Sequence, residues 1–262
     1  MKKTGFLLFF FLFAAPVFAS EVETVLIVSI DALHPDAMSE KTSPTLDRWM
    51  RSGRYTLQGR SVTPPQTLIA HTAMMTGLTP EQSGKQDNEW EQGQAQVARE
   101  TLFDLVKQRG FRTAYFYAKP KLGYLISAAV DEHALARDDG IDRARTFFGK
   151  RDKRFVFLHI SGLEGEGANA GWLSEDYLDE LTYIDRMLAP LLDDVAQRGR
   201  YLVLVTSDHA GHERQHGTLD PDDFKLPLII AASQRLPPLA PGVFNITEVK
   251  QLLQKTLDAA DQ

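Results

Sequence analysis

Asp31, Thr67 and the pair Asp208-His209 each lie where an apolar run ends or a helix begins, positions from which a side chain can reach a substrate. Asp31 follows Val25-Leu26-Ile27-Val28-Ser29-Ile30, and Asp208-His209 follow the run from Leu202 to Thr206. A carboxylate beside an imidazole at a strand end can hold one divalent ion. In a chain without Cys, the available nitrogen and oxygen donors suit zinc or a similar metal. Three His residues occupy positions 209, 212 and 216, an odd choice for a solvated loop. Thr67 opens an apolar helical stretch. Its hydroxyl is a weak nucleophile at its ordinary acidity, but a nearby metal favours the alkoxide. Taken singly, each residue has a plainer use: Asp31 and Thr67 as helix caps, Asp208-His209 as a structural hydrogen bond.

The surrounding pattern supplies a scaffold. Val25 to Ile30, Arg112 to Tyr117, Phe155 to Ile160, Tyr201 to Thr206 and Leu226 to Ala231 are short apolar runs of the kind that form buried strands. Between them, Thr101 to Gln108 ends at Gly110 and Ser174 to Gln197 ends at Gly199, both with helical spacing. The alternation predicts an α/β fold with a mostly parallel central sheet and helices on both faces. Ligands then bind beyond the carboxyl ends of the strands, where Asp31 and Asp208-His209 fall. Glu81 to Arg99 is polar and Asp131 to Asp152 heavily charged, so both read as solvated loops or small insertions.

The order of these pieces resembles the alkaline phosphatase superfamily, most closely its type I phosphodiesterase/nucleotide pyrophosphatase branch, over nearly the whole chain after the N-terminal segment. Val25 to Leu33 is similar to that family's first strand and metal-binding Asp, with Ala32 where Gly is usual. Thr67-Leu68-Ile69-Ala70-His71 through Thr76-Gly77-Leu78-Thr79-Pro80 resembles its nucleophile segment, with Asn88 downstream. Ser207-Asp208-His209-Ala210-Gly211-His212, continuing to His216-Gly217-Thr218, closely resembles its Ser-Asp-His-Gly-Gly-His signature and following His-Gly-Thr.

The resemblance implies an alkaline phosphatase-like fold, Thr67 as nucleophile through a covalent phospho-threonine, and one metal position at Asp31, Thr67, Asp208 and His209. The family's second position uses Asp-x-x-Gly-His, where this chain has Glu164-Gly165-Glu166-Gly167-Ala168. Glu164 can replace the Asp, and His216 remains to join it, with His212 or Glu166 as substitutes. Ala168 has no donor atom. One or two Zn2+ ions are therefore implied, with metal-dependent hydrolysis of a small phosphomonoester or phosphodiester. Two alternatives follow from Ala168 and from related transferases. One is transfer of the phosphoryl unit to another alcohol, and the other a catalytically weak or inactive relative that only binds a phosphate group.

The remaining residues bound the setting. Met1-Lys2-Lys3 and the apolar run to Phe18 have the layout of a secretory signal with a cut after Ala19, leaving residues 20–262 as a single domain. That implies a periplasmic or secreted protein with no stable membrane anchor after cleavage. Removing Lys2 and Lys3 takes the formal net charge from −6 to −8, which argues against a nucleic-acid partner. His71 reads as a hydrogen-bonded core residue, His159 and His133 earn no role, and His34 reads as a surface loop residue. Lys119 and Lys121 read as solvated, and Trp172 as a pocket wall or a cap on the core.

Overall fold

All five apolar runs form strands, and they join one sheet. The computed structural model describes residues 21–260 apart from 151, 235, 237, 240 and 241, so the expected signal segment, 1–19, lies outside the described residues. Among the described residues the strands are β1 (Thr24–Ile30), β2 (Arg54–Arg60), β3 (Arg112–Tyr117), β4 (Glu132–Leu135), β5 (Arg154–Ile160), β6 (Tyr201–Thr206), β7 (Lys225–Ala232) and β8 (Phe244–Asn245). Their order is β4-β3-β5-β1-β6-β7-β2-β8. The block from β4 to β6 is parallel throughout, whereas β7 runs antiparallel to both β6 and β2.

Side-chain alternation builds a core on each face. Val25, Ile27, Phe155, Phe157, Leu202 and Leu204 pack under α2 (Thr67–Thr76), α4 (Leu102–Gln108) and α8 (Val249–Ala260). Leu26, Val28, Ile30, Val156, Leu158 and Val203 pack under α1 (Pro44–Ser52), α5 (Gly140–Phe148) and α7 (Glu175–Gln197). Central strand β1 is buried at all seven residues. Each fully buried aliphatic side chain contributes about 1.5–3 kcal/mol. Two short helices complete the set, α3 (Pro80–Ser83) and α6 (Leu163–Ala170). Among the described residues no helix is long and apolar enough to cross a membrane.

The charged stretch 131–152, read from sequence as a solvated loop or small insertion, holds β4 of the central sheet and α5. Helix α5 hides Ala144, Phe147 and Phe148 in the core and turns its Asp and Arg residues outward, so charge density masked a one-sided helix. His34 is also buried rather than on the surface, its backbone N–H donating to the Tyr177 hydroxyl at 2.9 Å.

Two buried carboxylates lock the elements around the sheet's carboxyl edge. Asp185 on α7 accepts the N–H groups of Thr45 and Leu46 at 2.9 and 2.8 Å, capping α1 from across the core. Asp223 folds the loop after β6. One of its oxygens accepts from the Thr218 N–H and hydroxyl at 2.7 and 2.8 Å, and the other bonds His212 Nδ1 at 2.7 Å. His212 is thereby turned toward Asp223, and among the described residues it belongs to neither group whose ligand atoms come together. That bond, more than the opposing effect of burial, raises the His212 pKa above its ordinary 6.5.

Asp185→Ala strands two buried N–H groups and is expected to lower unfolding free energy by about 2–3 kcal/mol, measured by urea denaturation. His212 carries its charge better folded than unfolded. Its stabilisation is therefore complete below its unfolded pKa and fades as pH rises through the higher folded value. The melting-temperature gap between wild type and His212→Gln is thus expected to be larger at about pH 5.5 than at about pH 8.5.

Candidate active site

Four neighbouring parallel strands deliver one site residue each, or a pair, from their carboxyl ends: Lys119 after β3, His159 in β5, Asp31 after β1, and Asp208-His209 after β6. The turn after β1 is tightly held. Ala32 takes φ 60°, a left-handed conformation that explains why glycine is usual there in the family it resembles. Its N–H donates to Asp208 Oδ1 at 3.2 Å, and its carbonyl accepts the Tyr177 hydroxyl at 2.7 Å. Ser207 Oγ ties the two strand ends, accepting from Leu33 N–H at 2.9 Å and donating to the His209 carbonyl at 2.6 Å.

On this frame Asp31, Asp208, His209 and Thr67 converge. His209 Nε2 lies 3.6 Å from Asp31 Oδ1, 3.5 Å from Asp208 Oδ2 and 3.5 Å from Thr67 Oγ1. His209 Nδ1 sits 2.8 Å from the Ala210 carbonyl, which can only accept, so Nδ1 carries the proton and Nε2 presents a lone pair in the neutral ring. Asp31 Oδ1 and Asp208 Oδ2 are buried with no hydrogen-bond donor. Three acceptors facing one another out of water can hold a cation between them. The group Asp31, Asp208 and His209 has ligand atoms within 4.8 Å of one another, and these donors fit a divalent ion.

The residues behind this group are donors of fixed direction. His159 Nδ1 accepts the Ala118 N–H at 3.1 Å, which leaves Nε2–H to donate to Asp31 Oδ2 at 2.9 Å. His71 Nδ1–H donates to the Thr67 carbonyl at 2.7 Å and its Nε2 accepts from Ser29 Oγ at 2.9 Å. Burial lowers the His71 pKa to about 4, so it acts as a neutral brace, as its sequence context suggested. Thr67 is the first residue of α2, and Asn88 Oδ1 accepts the next N–H, from Leu68, at 2.8 Å.

Lys119 corrects the expectation of a solvated side chain. Its Nζ lies 2.6 Å from Asp31 Oδ2 and 3.1 Å from Thr67 Oγ1, and also hydrogen-bonds Glu164 Oε2. Burial opposes its charge, but Asp31, Glu164 and Asp208 together hold its pKa above the usual lysine range. The other Glu164 oxygen pairs with His216 Nε2 at 2.8 Å. Burial works against ionisation of Glu164 too, yet hydrogen bonds from His216 and Lys119 bring its pKa to about 2. Glu166 does not reach the site, lying instead near Glu180, whose carboxyl is pushed up by burial and then by the Glu166 charge. Ala168 is exposed on α6.

Trp172 forms the wall behind His216, with ring centroids 5.6 Å apart. Gly211 is required beneath it, since a Cβ there would come within 2.4 Å of the indole. Sequence alone held weak signals for the two missed residues. Lys119 directly follows the apolar run of β3 and precedes a Pro, and His159 is a polar residue one position from the end of a buried strand.

The profile of the type I phosphodiesterase / nucleotide pyrophosphatase family matches residues 25–223. A stretch of 98 residues is 33% identical to GPI ethanolamine phosphate transferase 1 of Neurospora crassa, covering 36% of this chain and 10% of that protein. The match thus spans about a tenth of that relative's length. Among solved structures, the lipoteichoic acid synthase LtaP from Listeria monocytogenes superposes with TM-score 0.70 at 16% identity, over 92% of this chain and 73% of that one. The C-terminal periplasmic domain of EcEptC from Escherichia coli gives TM-score 0.67 at 13% identity, over 91% and 82%, and has also been solved in complex with Zn. A 2-O GAG sulfatase gives TM-score 0.70 at 12% identity, over 91% and 71%. The fold is that of the alkaline phosphatase superfamily, and the chain belongs to its type I phosphodiesterase / nucleotide pyrophosphatase family, whose chemistry is the hydrolysis or transfer of phosphoesters.

Proposed function

We propose that this protein cleaves a small phosphate ester by attack of Thr67 Oγ1 on phosphorus, with a divalent ion, zinc by donor type, held by Asp31, Thr67, Asp208 and His209. The observation that carries this reading is the convergence of Asp31 Oδ1, Asp208 Oδ2 and His209 Nε2 beside Thr67 Oγ1, with both carboxylate oxygens buried and lacking donors. A bound ion supplies alkoxide stabilisation and charge neutralisation.

The protein's own groups do the rest. His71 fixes the Thr67 backbone, His159 orients Asp31, and Lys119 Nζ, 3.1 Å away, donates to Oγ1. The N-terminus of α2 adds N–H groups that favour negative charge on Oγ1 and on phosphoryl oxygens. In the first step the Thr67 O–P bond forms as the bond from phosphorus to the leaving alcohol breaks, the Thr67 hydroxyl proton passing to solvent and the departing oxygen taking one up from it. A second acceptor then takes the phosphoryl unit from Thr67. Water as that acceptor gives hydrolysis. A second alcohol gives transfer, a reading favoured by the ethanolamine phosphate transferase relative from Neurospora crassa. We place the reaction in the periplasm or beyond, supported by the signal-like N-terminal segment and by the periplasmic E. coli domain of the same fold.

Turnover of nitrophenyl phosphate or bis-nitrophenyl phosphate is expected to stop on chelation and return with zinc. Thr67→Ala is expected to lose at least about a thousand-fold. Adding ethanolamine or glycerol separates the acceptors: faster release of nitrophenol with phosphorylated alcohol as product marks transfer, and inorganic phosphate alone marks hydrolysis. Full activity in Thr67→Ala would remove this nucleophile. Metal-loaded native protein that turns over neither ester would leave a phosphate-binding role.

A further inference from the structure

We infer that this centre holds one divalent ion, not two, and that the ammonium of Lys119 occupies the place and carries the charge of the second. The inference rests on the reading of Thr67 as nucleophile and extends it to the identity of the two cations.

The three hydrogens of Lys119 Nζ have three acceptors, Asp31 Oδ2, Thr67 Oγ1 and Glu164 Oε2, arranged about a side chain only 18% exposed. These oxygens come from three separate elements, the β1 turn, α2 and α6. An ion bridging the nucleophile to Glu164 would need the space that Nζ fills. The ligand set left for such an ion is poor. Both Glu164 oxygens are engaged, one by Lys119 and one by His216 Nε2, the nitrogen His216 would have to offer. Ala168 supplies no donor.

Glu164, His209 and His216 do bring ligand atoms within 4.8 Å of one another, yet Glu164 and His216 are paired with each other while His209 Nε2 faces Asp31 and Asp208. The His209 and His216 rings are stacked, with centroids 5.0 Å apart and planes within 5° of parallel. His209 therefore belongs with Asp31 and Asp208, and Glu164 with His216 make only half a site.

Charge leads to the same assignment. The carboxylates of Asp31, Asp208 and Glu164 are balanced by one ammonium and one divalent ion, whereas a second ion beside Lys119 would leave the empty centre strongly positive. Lys119 touches the reacting oxygen, so it also stabilises charge there as the P–O bond forms.

Metal content of the full-length protein, measured by inductively coupled plasma mass spectrometry after equilibration with excess zinc and desalting, is expected to be one ion per chain. Asp208→Asn is expected to lose that ion. Glu164→Gln and His216→Ala are expected to keep it, with circular dichroism reporting that each variant is folded. Lys119→Ala is expected to retain one ion while turnover falls about a hundred-fold, and Lys119→Arg to restore part of the loss. Two ions per wild-type chain would overturn the inference, as would loss of the single ion in Glu164→Gln but not in Asp208→Asn. The count needs no activity. Two ions with turnover still dependent on Thr67 would sink only the Lys119 assignment, and one ion with turnover indifferent to Thr67 would sink only the nucleophile.

Discussion

The structure turns on a cluster of electron pairs confined out of water. Asp31 Oδ1, Asp208 Oδ2 and the His209 Nε2 lone pair face one another at the carboxyl edge of the sheet, all on fully buried side chains. Two carboxylates 4 Å apart repel by about 4 kcal/mol at an effective dielectric near 20, before any desolvation. Donors placed around such a cluster offset that repulsion, and a cation between the acceptors would offset more of it. Donors stand around it: His159 Nε2–H and Lys119 Nζ on the far oxygen of Asp31, and the Ala32 N–H on the far oxygen of Asp208, while the Ala210 carbonyl accepts the far N–H of His209.

Holding like charges together requires a frame that does not relax, and the topology provides it. Asp31 leaves β1, whose seven residues are buried and whose ladder runs in register with β5 and β6. Movement of Asp31 away from Asp208 would shear that ladder and pull on Tyr177, which grips both Ala32 and His34. Thr67 is held from the other side by a helix buried along its entire length. Thr67, the buried acceptors and the Lys119 ammonium thus sit on separate elements, each held by close packing.

How much of this the sequence carried depends on the range over which each feature is encoded. Strands β1, β3, β5, β6 and β7 were legible because burial on both faces writes a continuous apolar run. Short strand β4, with one neighbour, and half-exposed β2 left no such trace. Asp31, Thr67, Asp208 and His209 were legible through local motif order. Lys119 and His159 were not, because their roles are created by strand adjacency. Nothing in Lys119-Pro120 reveals that β3 lies next to β5, nor that β5 lies next to β1. The same limit hid Asp185, whose partners stand 140 and 139 residues away in sequence.

Glu164, Lys119 and Ala168 make sense together although each alone looks like an irregularity. A carboxylate on a longer stem reaches between Lys119 and His216 and bonds both, a span that ties α6 to the β3 end and to the loop after β6. Once an ammonium fills the space beside Thr67, an imidazole at position 168 would have no ion to hold, and a small exposed residue fits the solvent side of α6. A fixed ammonium differs from a divalent ion in a way that bears on the chemistry. It donates hydrogen bonds and carries one charge, but it offers no open coordination position from which to lower the pKa of water. With Lys119 in that place the centre keeps the means to stabilise attack by Thr67, and has less with which to prepare water for the second step.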